Sequence, residues 1–193
     1  MRAIFLYPIA ATALAASLLN APAVAAPAPT WTVNKAQSRL GFQASMNGQA
    51  ISGAFRRFDA RIAFDPANLS GSSVVAVIDT GSAATGDATR DESLPTPDWF
   101  NTKVFPRATF TSKSFKSLGG NRYQAAGTLN IRGVNRPVVL PFQLNINRGE
   151  ARMQGSLVID RRWFGVGRGQ FASTDAVAAN VRVNVTIQAA RAK

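Results

Sequence analysis

Apolar and polar residues alternate through most of this chain, and one stretch interrupts the rhythm. Within Trp31 to Ser45, Leu40, Phe42 and Ala44 share one parity, the period-two signature of a half-buried strand. Asn47-Gly48 is a hairpin signal. Beyond it Ile51, Gly53 and Phe55 share one parity, and Phe58, Ala60, Ile62 and Phe64 the other. The slip falls at Arg56-Arg57, where a β-bulge would return all of them to one face. Asp65-Pro66 ends that strand, Asn68 to Ser72 reads as a loop, and Ser73 to Asp79 is the next strand. Strands follow at Ala108 to Phe115, Tyr123 to Ile131 and Val138 to Ile146, with turns at Gly119-Gly120-Asn121 and at Gly133 to Arg136. Pro137 and Pro141 cannot donate to a ladder, which predicts an edge or bulged position. Asn147 to Glu150 turns into a strand with Met153, Gly155, Leu157 and Ile159 on one face. The last strand sets Val177, Ala179, Val181, Val183, Val185 and Ile187 against Arg182, Asn184, Thr186 and Gln188. About eight short strands with no long helix predict an all-β antiparallel barrel or sandwich.

The interruption is Thr85 to Phe110. Thr89 with Glu92 forms a capping-box pattern, predicting a short helix from Arg90. Thr96-Pro97 starts a second turn, with Asp98 at its electropositive end. Trp99, Phe100, Phe105 and Phe110 need burial, so the segment is expected to form a helical cap across one barrel end with its aromatics pointing inward. The inward parity also holds small residues at Ala44, Gly53, Ala60, Ala76, Ala125, Gly127, Gly155 and Ala179. These leave room for the cap aromatics or for an apolar guest, and a fully packed core remains open on pattern alone.

Composition narrows the chemistry. Met1 to Ala25 reads as a secretory signal, with Arg2 as a minimal basic start, an apolar run from Ile4 to Leu19 and a small-x-small site at Ala23-Val24-Ala25. A periplasmic address and a flexible Ala26 to Thr30 leader follow as expectations, leaving Trp31 to about Ala190 as the domain. The chain has no cysteine and no histidine. That excludes disulfides, thiol chemistry and His-based triads, and it removes most zinc chemistry. Asp59, Asp65, Asp79 and Asp160 fall at strand ends or outward positions, so no enzyme activity is expected. Asp87, Asp91 and Asp98 lack the alternation of a calcium loop, and no metal is expected. Gly165, Gly167 and Gly169 have neither the spacing of a phosphate loop nor a following helix, and read as bend residues. Without Arg2 the chain carries 21 basic against 10 acidic residues, a field that attracts anions and membrane surfaces. The arginines are scattered singly rather than in runs, which argues against nucleic acid.

The ordered set Trp31…Ser38-x-Leu40-x-Phe42, Gly53-x-Phe55-x-x-Phe58-x-x-x-Ile62-x-Phe64-Asp65, Ile78-Asp79, Thr85-Gly86…Arg90-Asp91-x-x-Leu94…Phe100…Phe105-Pro106…Phe110-x-Ser112, Gly127-x-Leu129-x-Ile131-Arg132-Gly133 and Phe164-Gly165-Val166-Gly167 resembles the YceI-like family. The resemblance runs from Trp31 to about Ala189. It implies a lipocalin-like barrel whose apolar tunnel holds a polyisoprenoid or other long amphipathic lipid, quinone included, with no cofactor beyond that ligand. The tunnel lining it implies is Phe42, Phe55, Phe58, Ile62, Phe64, Trp99, Phe100, Phe105, Phe110, Leu129, Ile131, Phe142, Leu157 and Val183. Arg90 and Asp91 could fix a lipid head at the mouth, with Arg132, Arg161 and Arg168 drawing a pyrophosphate or quinone oxygen; the bland reading pairs Arg90 and Asp91 with neighbours to lock the cap. The family's usual Asp-x-x-His-Ser is Asn34 to Ser38 here, with Gln37 in place of the histidine, and its late tryptophan is Phe171. The expected partner is the lipid. Transient contact with a membrane surface or membrane redox protein and a homodimer stay open. Two rival classes are an outer-membrane barrel, disfavoured by the polar second face, and a non-catalytic module docking through its basic surface.

Overall fold

The computed structural model describes residues 27–192; the signal expected at Met1 to Ala25 lies outside them. Eleven strands are assigned: β1 (Thr30–Val33), β2 (Arg39–Met46), β3 (Gln49–Phe55), β4 (Phe58–Ala63), β5 (Ser73–Asp79), β6 (Ala83–Ala84), β7 (Arg107–Ser117), β8 (Arg122–Ile131), β9 (Val134–Asn147), β10 (Glu150–Asp160) and β11 (Asn180–Arg191). They make eight antiparallel passes of one closed barrel. β1 closes it by pairing with β4 on one side and β11 on the other.

The surplus of strands over passes has a local cause. β1 and β2 both lie along β11, β4 and β3 lie along them in turn, and β5 and β6 along those. Each of the first three passes is therefore one strand broken at the same level. In the first pass, which the alternation alone joins from Trp31 to Ser45, Asn34 turns the chain: its side-chain oxygen accepts from the Ala36 and Gln37 amides. Ser38 resumes pairing by exchanging hydrogen bonds with the Gln188 backbone. In the second pass the predicted bulge at Arg56-Arg57 is instead a break. The Arg56 amide donates to the Ser82 carbonyl (3.0 Å), the Arg57 amide to Ser82 Oγ (3.0 Å), and the Asp79 amide to the Arg57 carbonyl (3.0 Å). The parity slip is real, and the two halves keep separate partners. A true bulge lies elsewhere, in β7, where the register against β8 shifts between Ser112 and Ser114. It brings Phe110 and Phe115, five residues apart, to the same interior.

The Asn47-Gly48 turn is as expected, whereas the turn after β8 is the two-residue Arg132-Gly133 with positive φ at both positions, not Gly133 to Arg136. β9 is an interior strand, contrary to a simple edge, yet its prolines still act. The Leu144 amide donates to Asn121 on the β8 side, so odd-numbered residues of β9 turn their amides towards β10. Pro137 and Pro141 are odd, and the β9–β10 ladder stops at Phe142↔Gly155, one place before Pro141. The leader is anchored rather than flexible from Ala28 onward. Ala28 is buried, the Phe64 amide donates to the Pro29 carbonyl, and Thr30 opens β1.

Residues 85–106 bridge one end of the barrel. Helix α1 (Ala88–Ser93) is capped by Asp87, whose carboxylate accepts from the Arg90 amide at 2.9 Å; the Thr89/Glu92 box is not used. Asp91 reaches back to accept from the Thr85 amide (2.6 Å), Thr85 Oγ1 (2.7 Å) and the Gly86 amide (3.3 Å). These bonds, from Thr85 above all, hold its carboxyl below the usual carboxylate range. At the same end the 3₁₀ turn Arg161–Phe164 precedes a long loop back to β11. Arg161, 3% exposed, donates to six carbonyl oxygens of that loop: Val166, Gly167, Phe171, Ser173, Val177 and Ala178. A Cβ on Gly167 would collide with this guanidinium.

Two outcomes follow. Arg161→Lys keeps the charge but supplies only three donors, so urea unfolding is expected to show a loss of about 3 kcal/mol. Asp91 has a folded pKa below its unfolded value, so its bonds contribute fully above the ordinary carboxylate pKa and fade as pH falls through the lower folded value. Hydrogen exchange at Thr85 and Gly86, normalised for intrinsic rate, should therefore speed up in acid in the parent, and Asp91→Ala should show the fast rate at neutral pH.

Candidate functional site

The inward residues enclose a cavity of about 210 Å³ whose thirty lining residues are all apolar. On β11 the lining runs from Val183 to Ala189 and on β9 from Val138 to Ile146, which at the usual strand rise and tilt gives a length of ~20 Å. The two ends are built differently. At the far end Phe64 meets Phe115 (5.2 Å between centroids), Tyr123 (5.7 Å) and Phe142 (6.1 Å) edge-on, while the Trp31 indole N–H donates to the Phe64 carbonyl at 2.9 Å. Each such ring pair is worth roughly 1 kcal/mol beyond its burial. At the capped end Phe100 reaches the cavity and sets its ring against Phe55 at 5.6 Å.

Of the residues named from sequence, Phe55, Phe58, Ile62, Phe64, Phe100, Phe110, Leu129, Ile131, Phe142, Leu157 and Val183 line this cavity. Phe42, Trp99 and Phe105 do not. Phe42 lies across Gly53 with its ring 5.6 Å from Phe55. Trp99 packs on Phe171 at 5.0 Å, and its indole N–H is buried without a hydrogen-bond partner. Phe105 lies beneath Arg132, whose guanidinium carbon is 5.7 Å from its centroid. Arg90 and Asp91 belong to the cap: Arg90 pairs with Asp87 at 3.5 Å, and Asp91 holds Thr85 and Gly86.

The small inner residues divide into two groups. Gly53, Gly127 and Gly155 give their space to the rings of Phe42 and Phe110 and to the Phe142 side chain, so they do not widen the tunnel. Ala60, Ala76 and Ala125 do line it, together with Ala108, Ala151 and Ala189. Ala44 and Ala179 lie outside it.

The arginines expected to draw an anion are mostly committed elsewhere. Arg161 spends its donors on the loop carbonyls, and Arg132, 8% exposed, donates to the carbonyls of Pro97 and Trp99, tying the cap to the β8–β9 turn. Burial lowers the pKa of both guanidiniums, yet arginine stays charged at neutral pH. Arg168 alone of the three is exposed. Gln37 accepts from the Asn34 side-chain amide in an exposed turn and makes no approach to the cavity. The lining residues that sequence reasoning passed over include the aromatics Trp31 and Phe115 and aliphatics such as Leu140, Leu144 and Met153; inward parity was the available signal for the aliphatics, whereas the β7 bulge hides that of Phe115.

Comparison with known proteins places the architecture. A UPF0312 protein of Photorhabdus laumondii is 34% identical over 130 residues, covering 67% of each chain. The protein YceI of Escherichia coli O157:H7 is 39% identical over 98 residues, and the match spans half of that relative's length. Among solved structures, Burkholderia cenocepacia BcnA superposes with a TM-score of 0.78 at 32% identity, over 81% of this chain and 98% of that one. A polyisoprenoid binding domain from Saccharophagus degradans shares the fold, with a TM-score of 0.66 at 16% identity over 84% and 98%. The YceI-like domain pattern matches residues 31–189, and the chain belongs to that family.

Proposed function

We propose that this protein binds an isoprenoid-like lipid, quinone included, with its apolar chain laid along the barrel interior, and that it serves as a periplasmic carrier or store. The observation that carries the reading is the cavity itself: about 210 Å³ lined by apolar residues alone. An apolar void of this order stays dry and gains from an apolar occupant, at ~0.8 kcal/mol per buried CH₂ before ordering costs. The structural likeness to a domain described as polyisoprenoid-binding points the same way.

A tunnel claim is tested by narrowing the tunnel in a folded protein. Gly127 is the wrong place, since even a Cβ there would lie 2.5 Å from the Thr111 carbonyl oxygen. Ala76 faces Ala60 across the β4–β5 pair, and both line the open space. Ala76→Phe is expected to keep the circular dichroism of the parent and to lose uptake of an added long-chain polyprenol. Undiminished uptake by that folded variant would move the lipid out of the barrel.

A further inference from the structure

The place where β9 and β10 cease to pair is also where the barrel's outer surface is most apolar. Carrying the observed register past Phe142↔Gly155 would oppose Pro141 to Ser156, Val139 to Val158 and Pro137 to Asp160. The amides of β9 that should bridge this gap belong to its odd positions, and two of these three are prolines. The gap is thus fixed by covalent structure. On its inner side Val138, Leu157 and Ile159 pack together and line the cavity.

Its outer side is uncovered. Val139 is 49% exposed, Val158 47% and Trp163 49%, three of the seven large apolar side chains exposed among the described residues. Val139 and Val158 stand at facing register positions, Pro137 and Pro141 are exposed beside them, and the turn carrying Trp163 packs against β9. Arg182 is the β11 neighbour of Val158, and Arg136, Arg162 and Arg168 are exposed around the same end. The one acid at this end of the two strands, Asp160, is held by Arg162 at 2.6 Å and only 12% exposed. Asp98 lies behind the glycine loop near Gly169. Uncovered aliphatic groups and a half-exposed tryptophan ringed by exposed arginines, of which Arg162 alone is paired with Asp160, match the interface of an anionic bilayer, where apolar side chains enter the headgroup boundary and arginines meet phosphate.

We propose that the β9–β10 seam, with Val139, Val158 and Trp163 at its centre and Arg136, Arg162, Arg168 and Arg182 around it, docks this protein on anionic lipid bilayers. The docking rests for its purpose on the lipid-binding reading, since it sets the cavity one strand-thickness from the membrane that holds such lipids. Its test does not depend on that reading.

The test is co-sedimentation of the mature chain with vesicles of phosphatidylglycerol and phosphatidylcholine in equal parts, against vesicles of phosphatidylcholine alone. Binding is expected to the anionic vesicles, weakening as salt rises. Trp163→Ser should lower the partition coefficient about tenfold, and Val139→Ser should lower it in the same direction. Val75→Ser, an exposed valine on β5 well away from the seam, should leave it unchanged. Absence of vesicle binding in the parent, or equal binding by all four proteins, overturns the docking face. So does a dimer in the parent that Trp163→Ser dissociates with vesicle binding intact, which would assign the seam to a second copy. Polyprenol occupancy measured on the same samples separates the claims: occupancy without docking overturns the docking face alone, and docking without occupancy overturns the proposed function alone.

Discussion

Eight antiparallel passes close on one another through β1 and enclose an interior whose lining is wholly apolar, and the rest of the molecule answers to that enclosure. Closure removes free edges along most of the sheet and leaves the inner face nothing but side chains to fill it. Where that face carries Phe across from Gly, as at Phe42↔Gly53 and Phe142↔Gly155, it fills itself. Where it carries Ala opposite Ala, as at Ala60↔Ala76, it does not. The cavity keeps its room at such alanines among larger apolar neighbours, and apolar volume left open costs stability until something occupies it.

The ends of the tunnel show how the fold spends its polar chemistry. At the far end Phe64 packs edge-on against Phe115, Tyr123 and Phe142, so aromatic burial builds it. The capped end is built from irregular backbone, and backbone carbonyls need donors. Arg132 supplies them to the 85–106 segment and Arg161 to the loop before β11. Two buried arginines thus act as fixed forks of hydrogen-bond donors for neutral carbonyls, a use for which the rigid planar guanidinium is better suited than a lysine. A basic composition therefore does not by itself mark an anion site; burial decides which cations remain available, and of the many exposed ones Arg136, Arg162, Arg168 and Arg182 lie near the unpaired seam.

Much of this was legible in the residues. Alternation along Val181, Val183, Val185 and Ile187 marked the inner face of β11, and the same count marked those of β8 and β10. The slip at Arg56-Arg57 was visible, but parity cannot tell a bulge from a break, because the difference lies in which strands the two halves meet. The cap's location could be read, while its capping residue could not: Asp87 and Thr89 are both good caps, and the choice falls to the bonds Asp91 makes with Thr85. Arg132 and Arg161 looked like free cations because sequence shows their charge and not the carbonyls that converge on them. Pro137 and Pro141 announced an unpaired ladder, and only the direction of the Leu144 amide shows that the lost partner is β10.

Whether the interior holds a lipid chain is read most directly by mass spectrometry of the organic extract of the protein purified from its own source without detergent. One long-chain isoprenoid or quinone is expected in near-stoichiometric amount, released on denaturation. A lipid-free extract from a protein that also refuses added isoprenoids would overturn the lipid reading, and would mean that the apolar space stays empty in the working molecule.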